Sequence, residues 1–376
     1  MGLNGSVVAF RTDASIQIGT GHVMRCLTLA DSLRNRDAVC HFICRTQAGD
    51  LIDFIRRSGY RVHPLPEICE PPEDIKAPTG LAHAAWLRTD QTTDALESGH
   101  IIDKLKPDLL IVDHYAIDAS WEGIVRTRSR TLMIIDDLAD RNHDCDLLLD
   151  HNLGANAASY EKLVPPGCIK LIGADYALLR PEFAELRDAS LKRRKKPRLR
   201  SLLISMGGID KDNTTATVLT ALKDCPVPPD CRITVVLGAG CPWMAQVRQL
   251  ASQLPWDTAI LNNTDEMAKI MSQSDLAIGA GGVTGLERAC LGLPSIMLET
   301  ADNQRPFLAA FENRGLAVTA PNFEYLTENE KLVTIKRLFR KALNSENIPK
   351  SIISACDGLG SERVAETLAG ISKRQS

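Results

Sequence analysis

Short apolar runs alternate with longer amphipathic ones through the first half of the chain. Ser6–Phe10, Val39–Cys44, Arg61–Leu65, Leu109–Val112, Leu132–Ile135 and Asp146–Leu149 read as strands. Residues 22–35, 47–58, 92–105 and 118–128 read as helices between them, the first with Val23, Leu27, Ala30 and Leu33 on one face. The pattern restarts after residue 198. Leu199–Met206, Arg232–Leu237, Thr258–Leu261, Leu276–Ile278, Ser295–Leu298 and Ala317–Thr319 are further strand candidates. Strand–helix alternation implies βαβ units and parallel sheets with helices on both faces. We therefore expect an α/β protein of two doubly wound domains. Residues 1–190 form the first and 198–350 the second, and a last helix within 351–376 either stays apart or crosses back to the first.

The most informative stretch is the loop between the first strand and the first helix. It runs from Arg11 to Arg25 and contains Ile18-Gly19-Thr20-Gly21-His22-Val23-Met24-Arg25. Gly19 and Gly21 permit a tight turn and close approach of a ligand. A helix start disfavours an imidazolium, so a histidine there can serve as a general base. The bland alternative is a helix-end histidine bonded to its own loop. The loop matches neither a phosphate-binding GxxxxGK[ST] signature nor G-x-G-x-x-G, since Met24 or Cys26 stands where a third glycine is needed. Asp113-His114-Tyr115 leaves another buried strand at the same end of the sheet, where doubly wound folds bind ligands. Of the three, Tyr115 is the best ligand candidate, with His114 next and Asp113 read as a turn cap.

Two glycine turns mark the second half, Met206-Gly207-Gly208 and Gly279-Ala280-Gly281-Gly282-Val283-Thr284-Gly285. Either they admit a diphosphate to bare backbone at a helix start, or they merely let a helix pack close to a strand. In the first case Thr284 adds a hydroxyl donor and Glu287, one turn on, accepts from the hydroxyls of a ribose. Asn303 and Gln304 follow another strand end and carry amides suited to a sugar.

Charge and composition narrow the classes. A net charge of −3 argues against a general nucleic-acid binder. The basic run Lys192–Arg198 sits between the two α/β stretches with a proline in it and reads as a solvated linker. The Pro- and acid-rich stretch 64–78 reads as a surface loop. No membrane-length apolar run and no signal-peptide pattern are found, and eleven scattered cysteines fit reduced thiols. The expectation is a cytoplasmic enzyme without stable membrane association. All eight histidines fall at or before His151, so an imidazole-dependent reaction must draw on the first half. No spacing suggests a metal site; Asp136-Asp137 fits loop capping better.

In order and spacing, Arg11-Thr12-Asp13, the His22 loop, Asp113-His114-Tyr115, Met206-Gly207-Gly208, Gly279–Leu293 and Asn303-Gln304-Arg305-Pro306 resemble the UDP-2,4-diacetamido-2,4,6-trideoxy-β-L-altropyranose hydrolases of pseudaminic acid synthesis. The resemblance spans nearly the whole chain. It implies a GT-B fold of two Rossmann-like domains with a cleft between them. It also implies cofactor-free, metal-independent, inverting hydrolysis of a UDP-sugar by water. By the same resemblance His22 is the essential histidine. Gly19, Gly21, Arg25, Tyr115, Asn303 and Gln304 face the sugar, while Gly207, Gly208, Gly281, Gly282, Val283, Thr284 and Glu287 hold UDP. A glycosyltransferase of the same fold, a related UDP-diacetamido-sugar hydrolase and a non-catalytic nucleotide-sugar binder remain alternatives.

Overall fold

The computed structural model of the chain describes residues 3–69, 81–195, 198–238, 240–344, 352 and 355–374. Residues 70–78 of the Pro-rich stretch, Lys196 and Pro197 of the basic run, and the side chain of Asn303 lie outside the described residues. The chain divides into two compact units, Met1–Leu178 with Gly360–Ser376, and Leu179–Leu359.

The first unit carries a seven-stranded sheet in the order β3-β2-β1-β4-β5-β6-β7, parallel throughout. Its strands are β1 (Val7–Thr12), β2 (Val39–Arg45), β3 (Arg61–Leu65), β4 (Leu109–Asp113), β5 (Thr131–Ile135), β6 (Leu147–Asp150) and β7 (Ile169–Ile172). Side chains alternate between two cores. Val8, Phe10, Leu109 and Ile111 pack on one face with α1 (Gly21–Arg34), and α2 (Ile52–Arg57) lies on that side. Ala9, Leu110 and Val112 pack on the other with α3 (Gln91–Leu105) and α4 (Ala119–Val125). Apolar residues on both faces are what a sheet covered by helices on both sides requires. The predicted α1 face, Val23, Leu27, Ala30 and Leu33, is buried in the first of these cores.

The second unit carries a six-stranded parallel sheet, β10-β9-β8-β11-β12-β13. Its strands are β8 (Ser201–Ser205), β9 (Arg232–Leu237), β10 (Thr258–Asn262), β11 (Leu276–Ala280), β12 (Ser295–Leu298) and β13 (Val318–Ala320). Its helices are α5 (Pro181–Arg193), α6 (Thr214–Leu222), α7 (Met244–Ala251), α8 (Met267–Gln273), α9 (Val283–Cys290), α10 (Arg305–Asn313) and α11 (Glu328–Leu343).

One boundary differs from the sequence reading, and the last helix takes one of its two expected places. Helix α5 groups with the second unit rather than with residues 1–190. The reason is its C-terminal end: Arg194 is buried and donates to the carbonyls of Leu291, Ser274 and Met271, while Ser190 Oγ donates to Leu291. Lys192 and Arg193 therefore end a packed helix, and this part of the basic run is not a solvated linker. The last helix, α12 (Gly360–Arg374), sits in the first unit, where Val364, Ala365 and Leu368 join the α1 core. Its start tolerates only glycine, because a Cβ at Gly360 would lie 2.3 Å from the Ala177 backbone.

Candidate functional site

In each sheet the strand order reverses next to the first strand of the unit. Loops leaving the carboxyl ends of the two strands at that point diverge to opposite faces and leave a crevice. In the first unit those strands are β1 and β4, with Thr12 paired to Asp113 across the register. The loop of residues 13–20 and the segment 114–118 therefore meet there. Gly19, at φ +80°, closes the first loop where a β-carbon would be strained. Gly21 is exposed at the head of α1.

His22 lies one residue into α1. Its Nδ1 is 2.6 Å from Asp113 Oδ1. Asp113 is wholly buried and also accepts from Arg25 Nε (2.6 Å) and Nη2 (2.7 Å). Arg25, together with His22, holds its carboxyl well below the usual carboxylate range in spite of burial. An ionised carboxylate at 2.6 Å requires the hydrogen on Nδ1, so that nitrogen donates. The other nitrogen, Nε2, has no hydrogen-bond partner among the described residues.

Tyr115 sets its ring edge-on to His22, with centroids 4.5 Å apart. Its hydroxyl donates to Asp137 Oδ1, and Asp137 Oδ2 accepts from Arg25 Nη1 at 3.0 Å. Arg25 was expected to face the sugar. It is instead 3% exposed, with Nε, Nη1 and Nη2 all engaged by Asp113 and Asp137. It is the internal clamp that fixes both carboxylates, and it cannot also grip a substrate. His114 turns away from this group. Its Nδ1 accepts from Ala116 N at 3.1 Å and its Nε2 lies 3.3 Å from Asp13 Oδ2. Asp13 belongs to a second buried set in which Arg11 and Arg45 share Asp94. That set ties the entry to the His22 loop onto β2 and α3.

Several contributors were not read as site residues in the sequence. Asp113 was read as a cap, yet it is the partner that orients His22. Its signal was present in the register of β1 with β4, which only the fold supplies. Trp86, in the 3₁₀ turn Ala84–Leu87, stacks on Tyr115 at 5.6 Å and 24°, and His83 tilts over Trp86 at 4.3 Å. Of the acidic pair, Asp136 caps its turn through Ala139 N, whereas Asp137 belongs to the site.

In the second unit the reversal falls between β8 and β11, which brings the two glycine turns to one edge. The glycines divide by environment. A Cβ at Gly281 would meet Leu308 Cδ1 at 2.2 Å, and one at Gly285 would meet Phe307 Cε1 at 2.6 Å, so these two serve close packing. Gly279 is covered by the buried Arg288 guanidinium, which donates to the Ala280 carbonyl. Gly207 (φ +90°) and Gly282 (φ +126°) have nothing within 4 Å of such a Cβ; they shape open turns. Gly208 is exposed, and its carbonyl lies against Gly238. The first N–H groups of α9, those of Val283 and Thr284, have no acceptor within the helix. Glu287, one turn on, is half-buried with no hydrogen-bond or ion-pair partner among the described residues, and burial pushes its carboxyl up to about 7. Gln304 Oε1 accepts from Thr300 N at 3.0 Å, so its carbonyl end braces its own loop.

Among the described residues, one group of carboxylates comes close enough to suggest a cation, Glu299, Asp302 and Glu324. Both oxygens of Glu299 are already engaged, Oε1 by Arg305 and Oε2 by Asn322 N. No described helix is long and apolar enough to cross a membrane.

No protein-family model matches the chain. It is 27% identical over 306 residues to the protein MJ1062 of Methanocaldococcus jannaschii, covering 79% of this chain and 56% of that one. The chain thus spans little more than half the length of that relative. It is 28% identical over 271 residues to UDP-2,4-diacetamido-2,4,6-trideoxy-beta-L-altropyranose hydrolase of Campylobacter jejuni, over 72% of this chain and 83% of that one. It is 23% identical over 371 residues to the spore coat polysaccharide biosynthesis protein SpsG of Bacillus subtilis, over 98% and 99%. Solved structures of the same fold include MurG of Acinetobacter baumannii, with TM-score 0.65, 15% identity and coverage of 97% and 99%. The calicheamicin glycosyltransferase CalG4 matches with TM-score 0.64, 13% identity and coverage of 99% of each chain. With its two parallel-sheet units, the chain has the GT-B fold.

Proposed function

We propose that the protein is a UDP-sugar hydrolase in which His22 activates the attacking water. The observation that carries this reading is the Asp113–His22 pair: a buried carboxylate holds Nδ1 at 2.6 Å, and Nε2 has no hydrogen-bond partner among the described residues. Such a nitrogen takes a proton from water as the oxygen attacks the anomeric carbon. Asp113 stabilises the imidazolium that results. The bond to the UDP oxygen breaks as the new C–O bond forms on the opposite face, so configuration inverts. The leaving diphosphate gathers negative charge, and the N–H groups and dipole at the head of α9 offset it. Tyr115, edge-on to the His22 ring, borders the sugar, and Glu287 is the group suited to accept from the ribose hydroxyls. The relatives support the substrate class: one is named as a UDP-diacetamido-sugar hydrolase and another as a polysaccharide biosynthesis protein.

The test is incubation of purified protein with a panel of UDP-diacetamido sugars, following UDP release and the anomer first formed. Wild-type protein releases UDP with inversion and without an acceptor, and His22→Leu loses turnover while keeping UDP binding. Near-normal turnover in His22→Leu would remove the base. The fold neighbour CalG4, a calicheamicin glycosyltransferase, favours one competing reading, a transferase. It would show as UDP release only when a sugar acceptor is added.

A further inference from the structure

Beside His22 stands a group of rings with more apolar surface than a water-activating base needs. Trp86 and Tyr115 stack at 5.6 Å, and His83 tilts over both, at 4.3 Å from Trp86 and 5.3 Å from Tyr115. His22 meets Tyr115 edge-on at 4.5 Å and Trp86 at 6.1 Å. Leu87, 1% exposed, anchors the turn in the core, and Gln47 Nε2 holds the Trp86 carbonyl at 3.3 Å.

The polar atoms of this group are unevenly committed. The Tyr115 hydroxyl is spent on Asp137, so that residue offers a ring and no free hydroxyl. Burial pushes the His83 imidazole below its usual range, which leaves it an uncharged ring at neutral pH. The Trp86 indole N–H has no partner among the described residues. The group therefore presents aromatic ring faces, with the Trp86 N–H as a donor and the uncharged His83 ring as a donor and an acceptor at the edge. A fully hydroxylated hexose gains less from it, since it has no methyl group to cover the ring faces. An N-acetylated deoxy sugar fits it well. Its methyl groups lie on the ring faces and its amide carbonyl accepts from an indole N–H.

We propose that Trp86, with His83 and the ring of Tyr115, is the specificity wall that selects N-acetylated, deoxygenated sugars beside His22. The inference rests on the UDP-sugar reading above, and its test is made by binding so that it stands or falls without turnover. Saturation-transfer difference NMR and calorimetry are run with UDP-2,4-diacetamido-2,4,6-trideoxy-β-L-altrose, UDP-glucose and UDP alone, on His22→Leu protein, which binds without turnover, and on the same protein carrying Trp86→Ala or Trp86→Phe.

With Trp86 in place the acetyl and C6 methyl protons receive the strongest saturation among the sugar resonances, and the diacetamido sugar binds more tightly than UDP-glucose. Trp86→Ala weakens the diacetamido sugar by about tenfold. It leaves UDP-glucose within about twofold and UDP alone unchanged, which also shows that the variant is folded. Trp86→Phe keeps the methyl saturation and loses only part of the affinity, the part owed to the N–H. Equal weakening of both sugars in Trp86→Ala, or methyl saturation unchanged by it, overturns the wall. Absence of UDP release from every substrate, with the binding pattern intact, overturns the hydrolase reading and spares the wall.

Discussion

Three carboxyl groups show how residue chemistry follows from the count of donors around them. Asp113 faces three donors from Arg25 and His22 and is ionised. Asp113→Asn keeps the shape but removes the charge that holds Nδ1–H and stabilises the imidazolium. We expect kcat to fall by roughly 100- to 10,000-fold. The same change leaves Arg25 with Asp137 alone and costs about 3 kcal/mol in urea unfolding. Asp150 is the opposite case. Tyr160 Oη, with a single proton, lies 3.1 Å from both Asp136 Oδ2 and Asp150 Oδ2, and burial pushes Asp150 up to about 7. A carboxyl whose folded pKa is raised binds its proton more tightly folded than unfolded, so its contribution is present below about pH 4 and fades as pH rises through about 7. Asp150→Asn mimics the protonated acid. Its melting temperature should match wild type near pH 3.5 and exceed it by a growing margin up to about pH 8; a constant difference across that range would refute the assignment. Glu287, also raised to about 7, has no hydrogen-bond partner among the described residues. UDP affinity should tighten between pH 6 and 8 in wild type, as the ionised carboxylate becomes available to the ribose. The same titration on Glu287→Gln should lack that component.

At the scale of elements, the strands were legible because buried parallel strands carry uninterrupted apolar runs, as in Leu109–Val112 and Ser295–Leu298. The edge strand β7 was not. Only Leu171 of its four residues is buried, so Ile169–Ile172 has no run to detect. Helix α5 was hidden by its basic end, since nothing local reveals that Arg194 meets three carbonyls from distant loops. The glycines make the same point about the site. Their presence at strand ends was readable, but their division into packing and open positions depends on neighbours far away in the chain. That division predicts the cost of alanine. At Gly238 a Cβ would lie 1.9 Å from the Gly208 carbonyl oxygen, a backbone atom that cannot step aside. At Gly281 the nearest atom is the end of the Leu308 side chain, which can rotate. Chemical denaturation should show Gly281→Ala losing about 1–3 kcal/mol and Gly238→Ala losing more, with the glycine turn after β8 displaced.

At the scale of the molecule, the second unit is an insertion between Leu178 and Gly360, and the chain returns to complete the first core with α12. Each unit encloses apolar clusters of its own. Multi-domain chains of this kind need not unfold in one step. Calorimetry should resolve two transitions that respond to different perturbations. Leu368 is 2% exposed in the first unit's core, and Leu368→Ala removes its contacts there at a cost of about 2–5 kcal/mol. Only one transition should fall. UDP, if it is held by the glycine turn and Glu287, binds folded second unit and not unfolded chain. At a hundred times its dissociation constant it adds about 2.7 kcal/mol, which raises the other transition by roughly 5–10 °C for a unit of this size. Glu287→Ala should shrink that rise without moving the transition that Leu368→Ala lowers. If UDP raised the transition that Leu368→Ala depresses, and left the other in place, the nucleotide would belong to the unit that carries His22, and the division of labour between base and anchor would be reversed.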